Sequence, residues 1–212
     1  MQLSIDWGSA TLVAILTGFV GVLSFFSSAA ANERTSRTDS IGSIQVYMTP
    51  DEARVKLFPD AVEFRREVKP IPLSFKSDLE RQLGRRFAED SLTVFIAQDS
   101  KAEIKGYVVI SEEIGKYRPI TFAVGIDPQF RVQGAAILVY RESRGGEVRR
   151  SRFLRQYFGK TARDPIRINR DIVNITGATL SVRSLNFGVK KLLKMTEYFY
   201  EDRGRDQASE LP

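Results

Sequence analysis

The chain has 212 residues, 42% of them hydrophobic, with 32 Lys plus Arg against 26 Asp plus Glu, a net charge of +6. That length and apolar content support one folded core with a small appended lobe rather than a disordered chain. There is no cysteine and no histidine, which removes thiolate nucleophiles, disulfides, iron–sulfur ligation, imidazole-bound haem or zinc, imidazole acid–base catalysis and the lipoprotein anchor. Redox chemistry in such a chain falls to an organic cofactor. The modest positive charge favours anionic partners such as acidic proteins or lipid headgroups, and is too small to imply nucleic acid.

Residues 10–31 are uncharged and largely apolar, about the length that spans a bilayer, and end Ser27-Ser28-Ala29-Ala30-Ala31 before Asn32. This predicts residues 1–31 to be a signal peptide or a retained membrane anchor, with Trp7 at the interface and an extracytoplasmic location for the rest. The flanking charges run the other way: Asp6 precedes the apolar run, and Arg34 and Arg37 follow it. Residues 32–43 are polar and aperiodic, a linker.

Residues 44–91 are expected to form a helical N-terminal lobe of short elements. Thr49-Pro50-Asp51-Glu52 combines a cap residue, proline at the first helical position and first-turn acids, predicting a helix from Pro50 towards Leu57. Ser77-Asp78-Leu79-Glu80 has capping-box spacing and predicts a second helix towards Arg86. Pro59, Pro70 and Pro72 interrupt the pattern between them.

Residues 92–200 carry the main domain. Leu92 to Ala97, Ile104 to Ile110, Ile120 to Ile126 and Val132 to Tyr140 are rich in Val, Ile, Phe and Tyr and read as strands. Asp127-Pro128-Gln129-Phe130 predicts an antiparallel hairpin between the last two. Val148 to Phe158 is expected to be a helix with Val148, Phe153, Leu154 and Tyr157 inward and Arg149, Arg150, Arg152 and Arg155 outward. From Val182 to Tyr200, Leu185, Val189, Leu192, Leu193 and Phe199 recur at helical spacing. Residues 201–212 are polar and read as a frayed tail. The fold class is therefore α+β, a largely antiparallel sheet with packed helices.

Two segments carry the candidate site. Thr176-Gly177-Ala178-Thr179 places a turn of small residues before the closing helix, where unpaired N–H groups and the positive end of the macrodipole favour a phosphate. Ser181 is a candidate cap for that helix. Tyr140-Arg141-Glu142-Ser143-Arg144-Gly145-Gly146 follows a predicted strand as a glycine-containing loop. Gly115-Lys116-Tyr117-Arg118-Pro119 reads as a turn outside the site.

The tetrapeptide resembles the flavin attachment segment, Ser/Thr-Gly-Ala-Thr, of the FMN-binding domain family, to which the C subunit of sodium-pumping NADH:quinone reductase and the G subunit of the Rnf complex belong. The loop resembles that family's Glu-Thr-x-Gly-x-Gly loop: Glu142 and Gly145 match, Ser143 keeps the hydroxyl of the threonine, and Glu147 stands at the second glycine position. The resemblance covers residues 92–199. Val173 stands where the family has an aspartate three residues before the tetrapeptide, with Asp171 and Asn174 nearby.

The resemblance implies FMN joined by a phosphoester to Thr179, transferred from FAD with release of AMP by a separate magnesium-dependent flavin transferase outside the cytoplasm. It implies Glu142, Ser143, Arg144, Gly145 and Gly146 at the flavin ring, and Thr176, Gly177 and Ala178 at the phosphate and ribityl chain, with Leu180 and Ser181 adjoining. Thr179 would be an acceptor, no catalytic residue or metal is implied, and electrons would pass between redox partner proteins. Two other readings fit the same residues: a reductase holding FMN noncovalently, and a flavin-free, membrane-tethered binding module.

Overall fold

A computed structural model describes residues 44–209, with side chains through Glu201. The apolar segment, Trp7 and the linker of residues 32–43 lie outside the described residues. Among the described residues no helix is long and apolar enough to cross a membrane.

Six strands form one antiparallel sheet: β1 (Gln45–Val46), β2 (Glu63–Pro70), β3 (Ser91–Gln98), β4 (Ile104–Ile114), β5 (Pro119–Ile126) and β6 (Val132–Tyr140), in the order β1-β6-β5-β4-β3-β2. The four strands and the hairpin expected between 92 and 140 are all present. β2 is an addition: Glu63–Pro70 pairs along its whole length with β3. Its mostly exposed, charged pattern suits an edge strand and gives little strand signal in sequence.

Both faces of the sheet are covered, and strand alternation sorts the side chains between them. On one face lie Tyr107, Val109, Ile120, Phe122, Val124 and Ile126, packed against the closing helix α4 (Thr179–Ser209). On the other lie Val108, Ala123, Ala136 and Leu138, packed against α1 (Pro50–Leu57) through Ala53, Leu57 and Phe58. Gly188 lets α4 approach β5, since a Cβ there would sit 2.4 Å from Phe122 Cζ.

The register between β5 and β6 shifts, with Phe122 opposite Ile137 and Thr121 opposite Val139. This bulge at Leu138 breaks the two-residue period, so Ile137 and Tyr140, three residues apart, both face α4.

α1 has the expected cap at Thr49, and the cap is a full capping box: Thr49 Oγ1 accepts from Glu52 N, and Glu52 accepts from Thr49 N at 2.7 Å. The second helix corrects the sequence reading. α2 runs Leu73–Leu83, starting after Pro72 and ending at Gly84, so Ser77 is interior rather than a cap. Glu80 accepts instead from Phe87 N at 3.1 Å. The expected helix from Val148 to Phe158 is broken into a 3₁₀ turn (Gly146–Arg149), α3 (Ser151–Leu154) and a second 3₁₀ turn (Arg155–Tyr157). Val148, Phe153 and Tyr157 are buried as expected, and the four arginines are exposed. α4 begins at Thr179 and its backbone continues to Ser209, well into the stretch expected to fray.

Beneath α4 a charged cluster is folded into the core. Lys191 pairs with Glu89 and, at 2.7 Å, with Glu113, which Arg85 also approaches at 3.5 Å. Burial holds the Glu113 carboxyl above its ordinary range despite these cations. For Glu89 burial is again the largest single effect and acts in the same direction, but the hydrogen bond and charge of Lys191, with smaller help from a backbone hydrogen bond and Lys76, together outweigh it and the carboxyl is held low.

Candidate flavin site

The segment before α4 is a β-turn. Ala178 N donates to Ile175 O at 3.0 Å, with Gly177 third in the turn at φ 82°. Val182 N then donates to Ala178 O at 2.9 Å, so Thr179 enters the helix directly from the turn. Ser181 is therefore inside the first helical turn and not its cap. Its hydroxyl lies 3.0 Å from that of Tyr140.

The loop after β6 meets this turn. Ser143, Arg144, Gly145, Gly146 and Glu147 on one side, and Thr176 and Gly177 on the other, line one cavity of about 360 Å³. Six of the residues singled out in the sequence are thus brought together from two separate stretches of the chain, and Glu147 joins them.

Gly145 makes the contact possible. It has φ 88°, and a Cβ there would lie 2.7 Å from Tyr140 Oη and 3.1 Å from Ala178 Cβ. Ala178 is buried beneath the junction. Tyr140 donates to Arg144 O at 2.6 Å while meeting Ser181, so one phenol fixes both walls. Burial raises its pKa, and the nearby acids Glu142 and Glu147 add to that, so it stays a protonated donor.

Glu142 is buried and turned towards the neighbouring hairpin rather than the cavity. Its Oε1 accepts from Tyr117 N at 2.6 Å and Arg118 N at 2.9 Å. The β4–β5 turn, read from sequence as outside the site, is thereby fastened to the loop that lines it.

Thr179 and Leu180 do not line the cavity. Thr179 is half-buried and its Oγ1 accepts from Asn174 Nδ2 at 2.8 Å, while Leu180 is exposed. Asn174 Oδ1 is buried beside this contact and takes no protein donor. Val173 is 73% exposed, and Gln156 holds its backbone, accepting from its N at 2.7 Å. Sequence reasoning named Tyr140 at the head of the loop and Asn174 beside Val173 but gave neither a role in the site. Their contacts, Tyr140 with Arg144 O and Ser181 and Asn174 with Thr179 Oγ1, come from the fold.

The donor set suits a phosphorylated, planar ligand. Two glycine-bearing turns form the walls, Arg144 supplies a cation, and α4 begins two residues after the Gly177 wall.

Residues 115–194 match the family model described as FMN-binding domain. No curated protein matches. Solved structures to which the chain is similar include NqrC of Shewanella oneidensis, at 13% identity over 65% of this chain and 81% of that one, with a TM-score of 0.45. Another is the C subunit of the Na(+)-translocating NADH-quinone reductase of Parabacteroides distasonis, at 17% identity over 69% and 85%, with a TM-score of 0.41. The matched segment contains the fastened turn, both cavity walls and the first half of α4, so residues 115–194 carry the match to the FMN-binding domain, whose cofactor is FMN.

Proposed function

We propose that the protein is an extracytoplasmic electron carrier whose FMN is joined by a phosphoester to Thr179. The observation that carries this reading is the meeting of the Ser143–Glu147 loop with the Thr176–Gly177 turn in one cavity, directly before a helix whose first residue is Thr179. FMN supplies one- and two-electron chemistry in a chain with no cysteine or histidine.

Each part of the site has its own role. Thr179 supplies the acceptor oxygen, and the Asn174 amide restricts its rotamer. The amides of the first helical turn favour the phosphate charge. Ser143, Arg144, Gly145 and Gly146 face the ring from the loop, held by Tyr140 and, through Glu142, by the β4–β5 turn. A covalent link keeps the cofactor where free FMN is dilute, since a dissociable one would be lost by mass action. The apolar segment 10–31 supports export or membrane attachment, and a sequence without cysteine or histidine, which has no thiolate or imidazole to ligate a metal redox centre, supports exchange of electrons with partner proteins.

The test is to express the full chain with and without a flavin transferase, denature it and read flavin fluorescence on a gel. Transferase-dependent fluorescence that disappears in Thr179→Ala supports the covalent carrier. Flavin that binds the native protein yet is released on denaturation would assign noncovalent binding instead.

A further inference from the structure

A larger concavity, about 950 Å³, lies apart from the flavin cavity and shares no lining residue with it. Its walls are the end of α2, the segment of residues 162–170, and the face of α4 bearing Arg183, Asn186, Phe187, Lys190 and Lys194. Arg163, Arg167 and Arg170 bring the count to four arginines and two lysines, with no acidic residue in the lining.

These cations are left without carboxylate partners for a structural reason. The acids in and beside the segment, Asp164 and Asp171, are taken up by neighbouring groups. Asp164 accepts from Thr161 N at 2.8 Å, and Asp171 accepts from Ile166 N at 3.0 Å and Arg167 N at 2.8 Å and pairs with Lys160 at 2.9 Å. Among the described residues none of the four arginines forms an ion pair. Lys190 donates to the Asp164 carbonyl and Lys194 to Gln82 Oε1 at 2.9 Å. Burial first, then the charge of Lys194, holds the Lys190 pKa below its ordinary value.

One buried polar group also serves the groove. Asn186 is 6% exposed, and its Oδ1 accepts from Tyr157 Oη at 2.7 Å, which leaves the amide NH₂ as its contribution to the lining. The polar side chains of the groove are thus overwhelmingly donors. Ile166, Ile168 and Phe187 supply apolar surface among them.

Guanidinium groups and an amide NH₂ along one groove match tetrahedral oxyanions, and the apolar surface suits an organic substituent. We propose that this groove binds an organic phosphate, either a soluble phosphate ester or the headgroup of an anionic lipid. The site does not depend on flavin at Thr179.

The test uses the full chain in neutral detergent at about 0.15 M salt, where exposed charges are screened beyond about 8 Å. Pyrophosphate, dihexanoyl phosphatidylglycerol below its micellar concentration, and hexaglutamate are titrated separately by calorimetry. The comparison pairs Arg167→Gln/Arg183→Gln with Arg149→Gln/Arg152→Gln, which removes equal charge from the exposed cluster after β6. Urea midpoints establish that both variants fold. The expected result is one site for pyrophosphate, for the lipid or for both, weakened at least about tenfold by the groove pair and less than about twofold by the other. Pyrophosphate alone identifies a soluble ester, and lipid binding identifies a headgroup. The proposal is overturned if neither phosphate binds, if both variants weaken binding equally, or if hexaglutamate binds more tightly than either phosphate.

Discussion

Tyr140 and Ser181, 41 residues apart, meet hydroxyl to hydroxyl at 3.0 Å beneath the candidate flavin cavity. Tyr140 reaches this position because a bulge in β6 turns it onto the α4 face, and its proton is given to the Arg144 carbonyl. Tyr140→Phe keeps the ring and removes both contacts. We expect a loss of about 1–2 kcal/mol in urea denaturation, with the amides of residues 143–146 exchanging faster in the folded state.

Gly145 and Gly177 both have positive φ but different surroundings. At Gly145 a Cβ meets Tyr140 and Ala178; at Gly177 it meets nothing within 4 Å. Gly177→Ala should cost about 1 kcal/mol, the backbone term alone. Gly145→Ala adds a clash and should cost about 2–4 kcal/mol and lower FMN incorporation. Equal costs in chemical denaturation would show that the loop and turn are not in contact.

Much of the site was legible because its signals are local. Val132–Tyr140 has continuous strand propensity, and Thr176–Thr179 combines a turn with a helix start, so the two walls could be placed on the right elements. The tertiary parts were not legible. Nothing local distinguishes the Ser77–Glu80 spacing from a real cap, and the helix instead begins where Pro72 allows it. β2 carries charges along an edge. Glu142 looks in sequence like a ligand-facing residue, while in the fold its carboxylate satisfies two backbone amides.

That role of Glu142 gives its own prediction. Glu142→Ala leaves the amides of Tyr117 and Arg118 without their charged acceptor. Stability should fall by about 2–3 kcal/mol, and hydrogen exchange should accelerate at those two amides before it does in the strands. Unchanged protection there would contradict the fastening of this turn.

The buried cluster under α4 sets a pH dependence. The Glu113 carboxyl is raised in the folded state, so its contribution to stability is full below the ordinary value of 4.5 and is lost as pH rises through the raised value. Glu89, held low, acts oppositely: its contribution is present above 4.5 and lost as pH falls through the lowered value. In Glu113→Gln the decline above 4.5 should flatten while the acid-side loss remains, as read from urea midpoints across pH.

The measurement closest to the central claim is the mass of the tryptic peptide of residues 171–183, which contains Thr179 between the cleavage sites at Arg170 and Arg183. After export beside a flavin transferase, the account predicts a gain of one FMN less water, with fragment ions assigning it to Thr179. An unmodified peptide, in cells where a known acceptor is flavinylated, would contradict it.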